Sequence, residues 1–511
     1  MASRKINQSI NQSINQSIKM SKRIFLVLLT SFLTCSISGQ ELNNLFLTLS
    51  RNNLFNGNVV ISKSGKNIFS NSYGFSNIEK QEKITEKSQF TIASVTKTFT
   101  STAILQLVEK GKLGIDDPVQ KYLQDFPYPN ISIKQLLSNT SGLGQYYNLF
   151  DGIMKEQPEK LISNQDIIPA FIRFKTPLSF LPGSKWEYNN VNFCLAALIV
   201  EKVSGISFAN YLDKNIFKPA NMKDTFVPKN RQIKEKNQVE QYSYSNFYST
   251  NLVNVKTLEE PSLIDAKSNF YGNGGIVSTA LDLEKYLNAL FRHKLLGKAA
   301  LDEALTATIL NDGKKVSYVI EGKEVSYGLG WEMYTDESNG KIVFHDGSVT
   351  GLTSILMHNI AKNETLVLLS SIGNNPVFGT STAVFQILDK KPVTIPSQNL
   401  SRIYGSLLES GNKEKANQLI EEYLKNPDSY NASERDFNRL GYQFLRLKKS
   451  DNALETFHAA TLIFPKSWNI YDSYGEALLQ TGKKEDAIKM YQKSVELNPD
   501  NENGKKVLNS L

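Results

Sequence analysis

Near the C-terminus six positions recur at a spacing of 34 residues. Gly441, Leu445, Ala453, Phe457, Ala460 and Pro465 return as Gly475, Leu479, Ala487, Tyr491, Ser494 and Pro499. Small residues sit where two helices must cross, and a proline closes the second helix. One such unit buries too little apolar surface to stand alone, so a chain with this period must stack its units side by side. A more degenerate unit surrounds Gly405, Ala416 and Pro427, where the spacing slips by a few residues. Stacked helical hairpins therefore account for residues 401–511. Pro392 and Pro396 mark a linker over 391–400, and a separate domain must lie upstream.

The chain has 511 residues, too long for one ordinary core, so two or more domains are expected. Its formal charge of +8 is concentrated at one end. Arg4, Lys5, Lys19, Lys22 and Arg23 lie in the first 39 residues, which hold no acid; without them 53 bases face 50 acids. A net of +3 gives no support for nucleic-acid binding. Lys22 and Arg23 precede an apolar stretch from Ile24 to about Ile37, followed by the small residues Ser38 and Gly39. That stretch is too short to span a bilayer and has the flanks of a cleaved export signal, with cleavage near Gln40. A signal over 1–39 and a periplasmic or extracellular location are the expectations. Met20 is the more natural start, since the tetrapeptide Asn-Gln-Ser-Ile repeated before it carries no core-forming pattern. Lipid attachment at Cys35 is the minor alternative, because Thr34 is a poor match to the small residue such sites prefer. With Cys35 removed, Cys194 is the remaining thiol, and its apolar helical setting reads as core.

Residues 41–390 read as an α+β domain. Val59 to Ile61 form a strand, Ser64-Gly65 turns, and Ile68 to Phe75 return. Helical patterns fill the middle of the chain, including Val191 to Val203. The polar, tyrosine-rich stretch 231–268 reads as a surface excursion. Strands are expected at Tyr327–Tyr334, Lys341–His345, Thr353–His358 and Thr365–Ser371. A hairpin at the front and a meander at the back imply one antiparallel sheet assembled from both ends and flanked by helices.

The chemistry-bearing residues begin at Ser94 and Lys97, at the start of an apolar helix over 94–108. One turn separates them, so hydroxyl and amine share a face, close to the partial positive charge of the helix N-terminus. Ser-x-x-Lys also occurs at Ser338/Lys341 and Ser410/Lys413, both in turn-like settings, so context selects Ser94. A serine hydroxyl needs a proton acceptor within hydrogen-bond reach to act as a nucleophile. A partly desolvated lysine beside a phenol lets the free amine or the phenolate persist near pH 7. Tyr-x-Asn supplies such a phenol at Tyr188/Asn190, where Pro182-Gly183 lies upstream and an apolar helix downstream. The same spelling at Tyr128, Tyr146, Tyr244, Tyr271 and Tyr286 lacks that support. His345-Asp346-Gly347 sits on an expected strand, where Gly347 lets a substrate lie close to the backbone. No histidine–carboxylate cluster has metal-ligand spacing, and neither a metal nor another cofactor is expected.

Taken in order, Ser94/Lys97, Leu136-Leu137-Ser138-Asn139-Thr140-Ser141-Gly142-Leu143, Pro182-Gly183, Tyr188-Asn189-Asn190 and His345-Asp346-Gly347 resemble the serine β-lactamase and penicillin-binding-protein family. The likeness is greatest to its class C β-lactamase, D-aminopeptidase and esterase branch, over roughly residues 55–375. The 34-residue period resembles the tetratricopeptide repeat. The first resemblance implies that Ser94 forms an acyl-enzyme and that Lys97 receives or stabilises its proton. It implies that Tyr188 is base toward Ser94 and then acid toward the leaving group. Asn190 would orient Lys97 and the substrate, and the backbone N–H of Ser348 would join that of Ser94 as oxyanion hole. His345 stands where penicillin-hydrolysing members carry a lysine, so it offers a weaker, pH-dependent charge to a substrate carboxylate. The leading expectation is an exported serine hydrolase acting on an ester or a D-amino-acid amide. A β-lactamase or DD-carboxypeptidase is the second, and a catalytically silent binding module with a repeat scaffold the third. Expected partners are a small-molecule or peptide substrate and a protein or peptide on the repeats, with no nucleic acid and no transmembrane helix after signal cleavage.

Overall fold

The computed structural model describes residues 38–231, 233–258, 268–373 and 376–511. The expected signal segment and Cys35 lie outside them, apart from Ser38 and Gly39. The chain divides into two compact units. The first holds residues up to 240 together with 260–394, and the second holds 241–259 together with 395–511. Among the described residues no single helix is long and apolar enough to cross a membrane.

The first unit is built on an eight-stranded antiparallel sheet. Its strands are β1 (Gly57–Lys63), β2 (Lys66–Tyr73), β3 (Tyr318–Ile320), β4 (Lys323–Tyr327), β5 (Glu332–Asp336), β6 (Gly340–Val349), β7 (Leu352–Asn359) and β8 (Glu364–Ser370), in the spatial order β2-β1-β8-β7-β6-β5-β4-β3. The front hairpin joins the last strand, Gly57 opposite Ser370 and Lys63 opposite Glu364, so the two ends of the domain close on each other. Strands β7 and β8 are buried throughout. Their alternation sends Val367 and Leu369 to one face and Leu366 and Leu368 to the other.

Each face is covered by helices. Leu366 and Leu368 pack with Leu42, Phe46 and Leu49 of α1 (38–51) and with Val384 and Ile387 of α2, our label for Val377–Leu388. The opposite face packs against helices over Thr96–Glu109, Asn190–Ser204 and Ala280–Phe291. The first of these, called the central helix below, is buried on every side from Thr96 to Leu107. Its many hydroxyls are tolerated because they find carbonyls: Ser101 Oγ donates to Leu329 O (2.6 Å) and Thr100 Oγ1 to Gly272 O (2.7 Å).

The strand expected over Tyr327–Tyr334 is two strands. The chain turns at Gly328-Leu329-Gly330, where Gly330 has φ +74° and a Cβ on Gly328 would fall 2.3 Å from Ala304 O. An apolar run without polar turn residues hid that break. The short strand β3 was likewise absent from the sequence reading.

The second unit is a stack of antiparallel helix pairs, from Leu400–Glu409 and Lys413–Lys425, through Glu434–Arg446 and Ser450–Ile463, to Trp468–Gln480 and Lys484–Leu497. The repeated glycines have a common cause. A Cβ on Gly441 would lie 2.5 Å from the Phe457 ring, and one on Gly475 would lie 2.8 Å from the Tyr491 ring. Gly405 of the degenerate unit has no aromatic partner of this kind from its own second helix. Tyr248 of the excursion fills the notch instead, stacked on Phe444 at 5.2 Å. Arg402 lies 3.8 Å over the Tyr244 ring and donates to Asn246 O (2.9 Å) and Ser249 O (2.8 Å). Of the segment expected to be a surface excursion, 232 and 259–267 lie outside the described residues, and Tyr242–Asn254 is a hairpin packed on the repeats.

Candidate active site

Ser94 sits in a 3-10 turn, Ala93–Val95, that leads directly into the central helix. The preceding residue, Ala93, has φ +45°, a left-handed conformation costing an L-residue roughly 1–2 kcal/mol. Such strain persists only where the surroundings hold it, and here a strand does. Ser354 of β7 donates to Ile92 O at 2.8 Å, and Gly347 of β6 packs against the turn. A Cβ on Gly347 would fall 2.5 Å from Ile92 O and 3.0 Å from Ser94 N.

Lys97, one turn on, is fully buried. Its Nζ lies 3.0 Å from Ser94 Oγ, 2.8 Å from Asn190 Oδ1 and 2.9 Å from Asn273 O. Two of these partners can only accept hydrogen bonds, whereas the third, a hydroxyl, can also donate. A neutral amine has two N–H groups for the two acceptors and one lone pair, which then faces Ser94. Burial, acting above all other influences, lowers the Lys97 pKa to about 7, so that neutral form is populated at physiological pH.

Tyr188 lies beside this pair. Its ring centre is 4.7 Å from Lys97 Nζ and its phenol shares a hydrogen bond with Ser94. Burial pushes the phenol well above its usual 10. Tyr188 therefore stays protonated near neutrality, which sets it against the expected role of base and in favour of proton donor. The loop that carries it is held from below by the motif at 136–143. Glu187 N donates to Asn139 O (3.0 Å), Asn192 Nδ2 donates to Asn139 Oδ1 (3.0 Å), and Asn189 Nδ2 donates to Leu143 O (2.6 Å). Gly142, at φ +76°, has no room for a side chain, since a Cβ would lie 2.1 Å from Phe180 O. The rival Tyr244 belongs to the second unit, beneath Arg402.

A cavity of about 340 Å³ opens over Ser94. Tyr188, Asn190 and Ser348 line it, as the sequence suggested, together with Trp186 and Tyr318, which stack in parallel at 4.5 Å. His345 is placed differently from expectation. It is 1 % exposed, lies between the Tyr188 and Tyr327 rings, and bonds through Nδ1 to Asp346 O at 2.6 Å. Burial, then the nearby Lys97, lowers its pKa to about 3. His345 is therefore neutral and offers no charge to a substrate carboxylate. The alternation of β6 instead turns Asp346 toward the cavity, where it meets Glu332 of β5.

Sequence reasoning passed over Glu332. The available signal was one acid inside an otherwise apolar and aromatic strand, Trp331-Glu332-Met333-Tyr334. Glu332, His345 and Asp346 each bring one potential metal-ligand atom within 4.8 Å of the others, a grouping that their sequence spacing concealed. Of these groups, Glu332 Oε2 accepts from Tyr318 OH at 2.6 Å and His345 Nδ1 is engaged as above, while the buried His345 Nε2 has no hydrogen-bond partner among the described residues. Cys194 is a buried core thiol, pushed up to about 12 by burial.

Comparison with known proteins places these features. The beta-lactamase family matches residues 50–388, and a tetratricopeptide repeat matches residues 469–501. Penicillin-binding protein 4* of Bacillus subtilis is 30 % identical over 364 residues, covering 70 % of this chain and 78 % of that protein. The octameric penicillin-binding protein homologue from Pyrococcus abyssi superposes with a TM-score of 0.56 at 25 % identity, covering 69 % of this chain and 77 % of the other. The D-amino acid amidase from Ochrobactrum anthropi shares the fold, with a TM-score of 0.56 at 22 % identity over 68 % of this chain and 99 % of the other.

Proposed function

The chain belongs to the beta-lactamase family and is a serine hydrolase, and from that premise we propose an acyl-enzyme mechanism on an ester or a D-amino-acid amide or peptide. Ser94 Oγ attacks the substrate carbonyl carbon while the lone pair of Lys97 Nζ takes the hydroxyl proton. The backbone N–H groups of Ser94 and Ser348 receive the oxyanion. As the tetrahedral intermediate collapses, the Tyr188 phenol protonates the departing oxygen or nitrogen, and the Lys97 ammonium returns a proton to the phenolate. Water then attacks the ester on Ser94, giving up its proton along the same path in reverse, and the hydroxyl is restored. Asn190 and Asn273 O hold the amine so that its lone pair faces Ser94.

One observation carries this reading: a fully buried lysine whose two acceptor-only partners leave its lone pair for a serine 3.0 Å away. Mass spectrometry after incubation with fluorophosphonate and activated-ester probes tests it. The wild type should gain one adduct on Ser94 and Ser94→Ala none, while Tyr188→Phe should acylate slowly and most slowly with poor leaving groups. Folded protein that forms no Ser94 adduct refutes it.

We further propose that the enzyme acts outside the cytoplasm, in the periplasm or beyond, on the strength of Lys22-Arg23 and the short apolar stretch after them. The repeats are proposed to hold a protein or peptide segment. The second reading, a β-lactamase or DD-carboxypeptidase, is the less favoured, because the cavity presents acids where a substrate carboxylate would need a cation.

A further inference from the structure

We propose that the cavity selects substrates bearing a primary ammonium group near the scissile carbonyl, and that Asp346, backed by Glu332, holds it. The proposal rests on Ser94 being the nucleophile, and it narrows the open choice of substrate to amine-bearing acyl compounds, such as amino-acid amides and esters with a free amino group.

The wall of the cavity is acidic and uncompensated. Asp346 and Glu332 both line it alongside Ser94. Among the described residues, the Asp346 carboxylate is met by its own backbone N–H and by the proton it shares with Glu332. Glu332 is steadied from the other side by the Tyr318 hydroxyl, at 2.6 Å. Burial, then the Asp346 charge, raises the Glu332 pKa to about 8, and burial raises that of Asp346. Two carboxyls in contact do not both ionise readily, so the pair shares a proton and carries the remaining negative charge between them.

The nearby basic groups do not cancel that charge. Lys97 is largely neutral above pH 7, and His345 is neutral throughout the physiological range. Among the described residues lining the cavity none is cationic. A half-buried negative charge of this kind, in a cavity lined by no cation, favours a cation brought in by a ligand. The stacked Trp186 and Tyr318 add aromatic surface to the same cavity, which also favours an ammonium group. A carboxylate in the same place would meet a like charge.

The test is a matched substrate series at pH 7.5: D- and L-alanine p-nitroanilide, their N-acetyl forms and their N-succinyl forms. For at least one enantiomer, the free amine should exceed the N-acetyl form in kcat/KM by about tenfold or more, mainly through KM, with the N-succinyl form poorest. Asp346→Asn should bring the amine-to-acetyl ratio toward one, and Glu332→Gln, which keeps an acceptor for Tyr318, should lower it in part. Should either variant fail to fold, the wild type decides alone: propylamine should slow fluorophosphonate labelling of Ser94 and propionate should not. The proposal is overturned if the N-acetyl or N-succinyl form is preferred, or if propionate protects better than propylamine. A ratio unmoved in both folded variants also overturns it, as does hydrolysis that requires a divalent metal and is lost on chelation. Labelling of Ser94 with no amine preference sinks the substrate assignment alone, whereas absence of any Ser94 adduct sinks the mechanism and the assignment together.

Discussion

If the Lys97 amine is the base, the rate of Ser94 acylation must follow its ionisation. With a pKa of about 7, the reactive neutral form falls to roughly 10 % of the total at pH 6 and roughly 1 % at pH 5. Acylation should therefore be about 100-fold slower at pH 5 than on a plateau reached above pH 8. The suitable assay is the second-order rate of fluorophosphonate labelling from pH 5 to 10 at constant ionic strength, which reports acylation without product release. Tyr188 stays protonated across that range, so no further rise should appear toward pH 10. Glu332, with a pKa near 8, titrates nearby and must be separated; Glu332→Gln should keep the limb near 7 and remove any inflection near 8.

The same shift leaves a mark on stability, with a definite sign. Between about pH 7 and 10.5 the unfolded chain binds a proton at Lys97 that the folded protein lacks, so stability rises with pH through that window. A displacement from 10.5 to about 7 corresponds to ~5 kcal/mol held against the fold below pH 7. Lys97→Met removes that cost but takes the Nζ donor away from Asn190 Oδ1 and Asn273 O, at roughly 1–3 kcal/mol for each buried acceptor left short. The two effects largely offset at pH 6, so the variant should lie within a few kcal/mol of the wild type there, lose acylation, and lack the rise in stability between about pH 7 and 10. A labelling limb centred at 9 or above, or a rate still climbing at pH 10, would assign the base to the Tyr188 phenolate and refute this reasoning. A Lys97→Met protein that kept the wild type's rise in stability between about pH 7 and 10 would count equally against it.

Two substitutions probe the supports. Gly347→Val forces a Cβ to within 2.5 Å of Ile92 O and 3.0 Å of Ser94 N, so Ser94 labelling should be lost and the melting temperature should fall, by the ~1–3 kcal/mol typical of overpacking; wild-type labelling would show that β6 does not hold the turn. Arg402→Ala removes a stacking contact and two hydrogen bonds to the hairpin Tyr242–Asn254, which should speed amide exchange in that hairpin by about tenfold or more; unchanged protection would show that Tyr248 alone secures it.

What the sequence disclosed and what it concealed divide along physical lines. Ser94 and Lys97 are neighbours by helical spacing, and Tyr188 and Asn190 sit between a Pro-Gly turn and a buried helix, so local rules alone placed each pair. The front hairpin and rear meander were legible for the same reason: alternation and turn residues are local signals. The charge state of His345 was not. Its sign of influence depends on neighbours from distant parts of the chain, Tyr188 and Tyr327, which bury it. The attachment of the hairpin Tyr242–Asn254 to the repeats was also hidden, because it depends on a notch at Gly405 that only the folded helices create.

Glu332 shows the same limit from the other side, and shows what a local anomaly means. An acid in the apolar strand around Trp331 and Met333 breaks the pattern that makes the strand, and burying it raises its pKa to about 8. Natural sequences keep such conflicts where function uses them. Lys97 and Ala93 are conflicts of the same kind: a buried amine and a left-handed alanine, each unfavourable to folding on its own. All three converge on the turn at Ser94 and the cavity above it, and nothing in the packing of the sheet requires any of them. A domain that kept this fold only as a scaffold would need neither the buried amine of Lys97 nor the buried carboxyl of Glu332. That both ionisable groups are present, beside a serine within hydrogen-bond reach of the amine, is the strongest structural ground for reading the cavity as a working active site.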